Sequence, residues 1–117
     1  MQTNVARLSA KEIRDISDYF SAQRAKPARF AIDPDPKTVA LGAASAKLLN
    51  CAACHSEDYR GGTDTPRLAG QVSGYIARQI DEFKRGARSH PAIPAAAEKL
   101  GEPTIEALSV YFGKLEP

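Results

Sequence analysis

The sequence predicts an all-α chain, and three observations carry that expectation. Apolar residues recur at helical spacing in several separate segments. No run alternates apolar and polar residues at the period of a strand. Proline falls between the periodic segments or at their starts rather than inside them. With 117 residues the chain suits one compact domain, and with four Phe, four Tyr and no Trp it has little large apolar surface with which to build a core alone.

The first expected helix covers residues 8–20. Ser9 is placed to cap it and Glu12 completes a capping box, while Leu8, Ile13, Ile16, Tyr19 and Phe20 fall mostly on one face. Residues 25–36 hold Pro27, Pro34 and Pro36 among mixed charges and read as an extended linker. Thr38–Leu49 is rich in Ala and Leu and lacks proline, which predicts a second helix. Gly61-Gly62-Thr63-Asp64-Thr65-Pro66 is turn chemistry. A third helix is expected from Ser73 to about Arg85, with Tyr75, Ile76, Ile80 and Phe83 on its apolar side and Gly86 to end it. A loop carrying His90, Pro91 and Pro94 follows, then a short helix over 95–100. A last helix starts near Pro103 and runs to about Phe112.

Between the second helix and the turn lies Cys51-Ala52-Ala53-Cys54-His55. Two cysteines three apart with a histidine directly after the second form the attachment signature of a c-type haem. Each thiol adds across a vinyl group of the porphyrin, and the histidine next in the chain meets the iron from one face. Cys51 and Cys54 are therefore the expected covalent anchors, and His55 the expected proximal ligand. A thioredoxin-like pair shares the spacing but follows a strand, and none precedes Cys51. A zinc site needs further Cys or His partners, and the sequence offers only His90. The expected cofactor is one covalent haem c. The haem adds an apolar body for the helices to pack on, so the chain without it is expected to be much less stable.

Part of the chain repeats. Leu8, Ile13, Ile16, Ser17, Tyr19 and Phe20 recur as Leu100, Ile105, Leu108, Ser109, Tyr111 and Phe112, a constant offset of 92 (100 − 8). The expected organisation is an N-terminal helix over 1–24 that matches the end of a preceding domain, a Pro-rich linker over 25–36, and one whole domain over 37–117.

The haem motif, Pro66-Arg67-Leu68-Ala69-Gly70-Gln71, Tyr75-Ile76-Ala77-Arg78-Gln79-Ile80 and the closing Leu-Tyr-Phe helix together resemble class I cytochromes c. The likeness is to one domain of the tandem di-haem periplasmic cytochromes c, with the closing helix of the preceding domain ahead of it. The resemblance implies a class I cytochrome c-like helical fold around one covalent haem, with an extra N-terminal helix. It implies that the Pro66 carbonyl accepts a hydrogen bond from the His55 ring. It also implies that Leu68, Tyr75 and Ile76 pack the haem pocket.

One departure stands out. The family places a methionine in the loop before the last helix as second axial ligand, and here that loop has none. The single methionine is Met1, which the offset aligns with Ile93. Three sources of the sixth position remain: His90, in the right loop; Met1, within the chain or across a dimer; or an open site in an apolar pocket near Ala92 and Ile93.

The expected function is a periplasmic electron-transfer protein and not an enzyme, working with redox protein partners. The alternatives are an open-site haem protein that binds a small gas, or a haem-bearing, catalytic subunit of a larger redox complex. A dimer or larger assembly would form through the N-terminal helix. Arg78, Lys84, Arg85 and Arg88 form a basic group that either steers an acidic partner, holds the haem propionates or is an ordinary solvated face. The formal net charge of +2 is too weak to argue for nucleic acid, and no apolar run is long enough to span a membrane. No signal peptide is visible. Haem attachment of this kind follows export, so the chain is expected to be a mature or truncated form.

Overall fold

The computed structural model describes residues 5–90 and 97–117. Among them the elements are five helices and no strand: α1 (Ala10–Ser21), α2 (Pro36–Leu48), α3 (Ala52–His55), α4 (Ser73–Lys84) and α5 (Glu102–Lys114). The all-α expectation is borne out. The ends shift by a few residues for local reasons. Asp35 caps α2 by accepting from the Thr38 N–H at 3.2 Å, which lets Pro36 take the first turn and moves the start two residues forward. Gly86 adopts φ 69° just past α4, a left-handed turn that glycine takes without strain. The short helix expected over 95–100 lies partly outside the described residues. Of it, Ala97 and Leu100 are buried and joined by a 3.0 Å backbone bond.

The core sits where α5 packs on α2 and on α4. α5 supplies Ile105, Ala107, Leu108 and Phe112, α2 supplies Ala46, and α4 supplies Ile76. Small residues set the α2–α5 spacing. A Cβ at Gly42 would collide with the Ala107 carbonyl oxygen and stand 2.5 Å from Tyr111 Cβ, so the two backbones meet through bare glycine.

α1 is different. It has no buried residue, and Ile13, Ile16, Tyr19 and Phe20 are 43–65% exposed. Yet it reproduces α5 locally. Ser17 Oγ donates to the Ile13 carbonyl at 2.7 Å, and Ser109 Oγ to the Ile105 carbonyl at 2.6 Å. Tyr19 and Phe20 ring centroids lie 5.3 Å apart, those of Tyr111 and Phe112 5.4 Å. The same apolar pattern is covered in one helix and uncovered in the other.

The capping box of α1 is closed as the spacing implied. Ser9 N–H donates to Glu12 Oε2 at 2.8 Å, and Glu12 N–H donates to Ser9 Oγ at 3.3 Å. Because no residue of this helix is buried, Ser9→Ala is expected to speed amide exchange in α1 about fivefold while leaving the global unfolding midpoint in place. The Ser9 donors hold the Glu12 carboxyl below its ordinary value. The cap is therefore complete above that ordinary value and lost as pH falls through the depressed one, and the same exchange experiment at acid pH reads this directly.

Candidate haem site

α3 is a single helical turn held between two left-handed residues, Asn50 (φ 53°) and Ser56 (φ 66°). The Cys51 carbonyl accepts from the Cys54 N–H at 3.4 Å and from the His55 N–H at 3.1 Å. Helical spacing thus places Cys51 and Cys54 one turn apart on neighbouring faces. Both thiols are free, Cys51 half-buried against the core and Cys54 exposed. Burial pushes the Cys51 thiol up.

The loop after α3 turns back on itself. Gly61 N–H donates to the His55 carbonyl at 2.9 Å and Gly62 N–H to the Thr65 carbonyl at 2.9 Å. Gly61 takes φ 76°, and Pro66 C stands only 2.7 Å from where a Cβ would be, so the reversal has room for glycine alone. This fold-back sets the Pro66 carbonyl 2.8 Å from His55 Nδ1. A carbonyl can only accept, so Nδ1 carries the proton and the Nε2 lone pair is left available.

Beyond Pro66 the chain is pinned on both sides. Leu68 N–H and Ala69 N–H both donate to the Tyr59 carbonyl, at 2.9 and 3.0 Å, and Gly70 N–H donates to the Phe112 carbonyl at 2.9 Å. Tyr59 is 8% exposed, takes φ 57°, and packs edge-on against Phe112 at 5.0 Å and Tyr111 at 5.9 Å. Sequence reasoning missed Tyr59, and no pattern marks it: a tyrosine in a turn gives no sign that it will be the loop's internal partner.

The expected pocket residues separate. Ile76 is buried in the core, Leu68 is half-buried at its edge, and Tyr75 is 48% exposed on the first turn of α4. His90 is exposed, immediately before 91–96. Met1, Ala92 and Ile93 lie outside the described residues. The basic group on α4 is largely tied within the chain. Arg78 pairs with Glu82 and Arg85 with Asp81, both at 2.8 Å, Lys84 donates to the Leu100 carbonyl at 2.6 Å, and Arg88 lies 4.9 Å over the Phe83 ring. Two carboxylates, Glu82 and Asp81, offset two of the four charges that a steering patch would use.

The donor set fits a covalently held porphyrin. Two free thiols one helical turn apart stand beside an imidazole whose far nitrogen is open. Leu49, Leu68 and Ile80 are partly buried apolar side chains at the core edge, of the kind that lines an apolar prosthetic group. Residues 39–107 match the family model described as cytochrome c. The chain belongs to the cytochrome c family. That family binds covalent haem c, and the Cys51-to-His55 run is the arrangement that takes it. The class I cytochrome c resemblance read from the sequence is borne out. Cytochrome c4 of Azotobacter vinelandii is 33% identical over 115 residues, covering 89% of this chain and 54% of that protein. The thiosulfate dehydrogenase electron acceptor of Stutzerimonas stutzeri (strain A1501) is 36% identical over 75 residues, covering 62% of this chain and 35% of that one. The crystal structure of reduced recombinant cytochrome c4 from Pseudomonas stutzeri superposes with a TM-score of 0.78 at 29% identity, covering 96% of this chain and 64% of that one. The chain thus spans about half, or less, of the length of these curated relatives. No helix among the described residues is long and apolar enough to cross a membrane.

Proposed function

We propose that this chain is a mono-haem electron-transfer unit of the periplasm, exchanging electrons with protein partners rather than transforming a substrate. The observation that carries the reading is the 2.8 Å bond from His55 Nδ1 to the Pro66 carbonyl, beside Cys51 and Cys54 on the same helical turn. Such a bond serves an imidazole that must act as a fixed donor through Nε2. Haem c supplies the one-electron couple. Cys51 and Cys54 anchor it as thioethers, His55 binds the iron, and Pro66 fixes the ring and raises its basicity. Leu68 and Ile76 exclude water, and Tyr75 stands half-exposed on the first turn of α4. The similarity to an electron acceptor of thiosulfate dehydrogenase supports a carrier role.

His90 is taken as the sixth ligand ahead of Met1, since it stands in the stretch between α4 and α5. The repeat of the α5 pattern in α1 supports the three-part organisation, with residues 1–24 closing a preceding cytochrome domain, 25–36 linking and 37–117 forming the haem domain. The uncovered α1 face is then the route to a dimer or larger complex.

Intact mass and the visible spectrum test the reading together. The expected result is one covalent haem and a sharp low-spin spectrum of the reduced protein that carbon monoxide does not alter. Colourless protein with two free thiols would overturn it. A high-spin spectrum that shifts with the gas would favour the open-site alternative. His90→Ala is expected to abolish the low-spin signature, and an unchanged spectrum would remove His90 as ligand.

A further inference from the structure

The linker is not a loose tether. Residues 27–33 cross the last turn of α5, where Gly113 presents bare backbone. The Phe30 ring fills that notch: its Cζ lies 2.8 Å from the point a Gly113 Cβ would occupy, and the Gln71 carbonyl oxygen lies 3.2 Å from the same point. Glycine is required here because the ring and the loop both press on it. Lys114 Nζ reaches Asp33 Oδ1 at 3.2 Å, but Asp33 is 92% exposed, so that pair contributes little and Phe30 is the anchor.

The notch is also where the histidine-holding loop is fixed. Gly70 N–H donates to the Phe112 carbonyl at 2.9 Å, and Pro117 packs on Gly70, 2.7 Å from its Cβ position. Four residues before Gly70, the Pro66 carbonyl accepts from His55. Phe30 therefore closes one side of a stack whose other side is the loop 66–71. Without the ring, Gly113 and the Gln71 carbonyl open to water and the last turn of α5 loses its cover. The Gly70–Phe112 bond is then the next to be released.

We propose that Phe30 is a positioning residue for His55, acting through Gly113 and the 66–71 loop, so that the linker's seating on α5 sets how firmly Pro66 holds the imidazole. The inference rests on the haem reading above and deepens it. A weaker Nδ1–H to carbonyl bond makes the imidazole a poorer donor to ferric iron, and a poorer donor raises the reduction potential.

The test uses the haem-loaded protein with Phe30→Ala and Phe30→Leu. As a bystander control, Ile32→Ala changes a side chain on the same linker that is 85% exposed. Phe30→Ala is expected to raise the reduction potential and to speed exchange of the Gly70 amide about tenfold, an opening local to that loop. Phe30→Leu should move both in the same direction by less, and Ile32→Ala should move neither. The leucine variant keeps the experiment decisive if the alanine variant does not fold. A folded Phe30 variant with an unchanged potential overturns the proposal, even if its unfolding midpoint falls. Absence of haem from the unsubstituted protein would instead defeat the functional reading, while the Gly70 exchange would still report on the brace.

Discussion

With Cys51→Ala and Cys54→Ala together, the chain is expected to purify colourless, with no covalent addition to its mass, and to lose its cooperative unfolding transition. The reason lies in how little core the polypeptide closes by itself. The buried core is confined to a few side chains such as Ile76, Ile105, Leu108 and Phe112, and Leu49, Leu68 and Ile80 sit half-covered at its edge. Completing the burial of three such side chains is worth roughly 1 kcal/mol each, taking about half of the full-burial value. A total of about 3 kcal/mol is a large share of the 5–15 kcal/mol that holds a domain of this size folded. The substitution also removes Cys51 from its packing against the core. Either cysteine alone replaced should leave one anchor and an intermediate loss. Intact mass and a far-UV circular dichroism melt on the double variant decide it, and a coloured protein with a sharp melt would sink the account.

The legible parts of this structure are the local ones. Ser9 and Glu12 sit at capping-box spacing, and the box is closed. Gly86 reads as a helix stop and takes φ 69°. The haem motif needs only five consecutive residues, which is why it stands out. By contrast, no spacing rule joins Pro66 to His55. Only the family resemblance gave that pair, because the fold-back depends on left-handed Ser56 and Tyr59, and neither residue type advertises that conformation. The linker shows the limit from the other side. Its prolines and charges read as extended chain, whereas its docking depends on a bare glycine near the far end of the sequence. Asp33 and Lys114, which meet there, are 81 residues apart. α1 shows it again, since periodicity marks an apolar face without saying whether its partner is in the same chain. The basic group on α4 was visible, but the (i, i+4) carboxylates that offset Arg78 and Arg85 decide what it does.

Gly42→Ala is expected to cost about 3 kcal/mol or more, at or above the top of the usual range for overpacking. The added methyl meets backbone, the Ala107 carbonyl oxygen, and the Cβ of Tyr111, and neither can rotate away. Relief requires α2 and α5 to move apart along the seam that buries Ala46, Ala107 and Leu108. The site feels the same displacement, because the Cys51 N–H donates to the Ala46 carbonyl at 3.1 Å and so hangs the haem-binding turn from α2. Gly74→Ala is the matched control. It lies in α4 with nothing within 4 Å of its Cβ position, so helix propensity alone predicts no loss and a gain of up to about 1 kcal/mol. Urea midpoints of the two haem-loaded variants, compared at unchanged slope, separate a collision from a generic glycine effect. Equal midpoints would mean that the α2–α5 seam has slack, and that its spacing is set by something other than the missing side chain at Gly42.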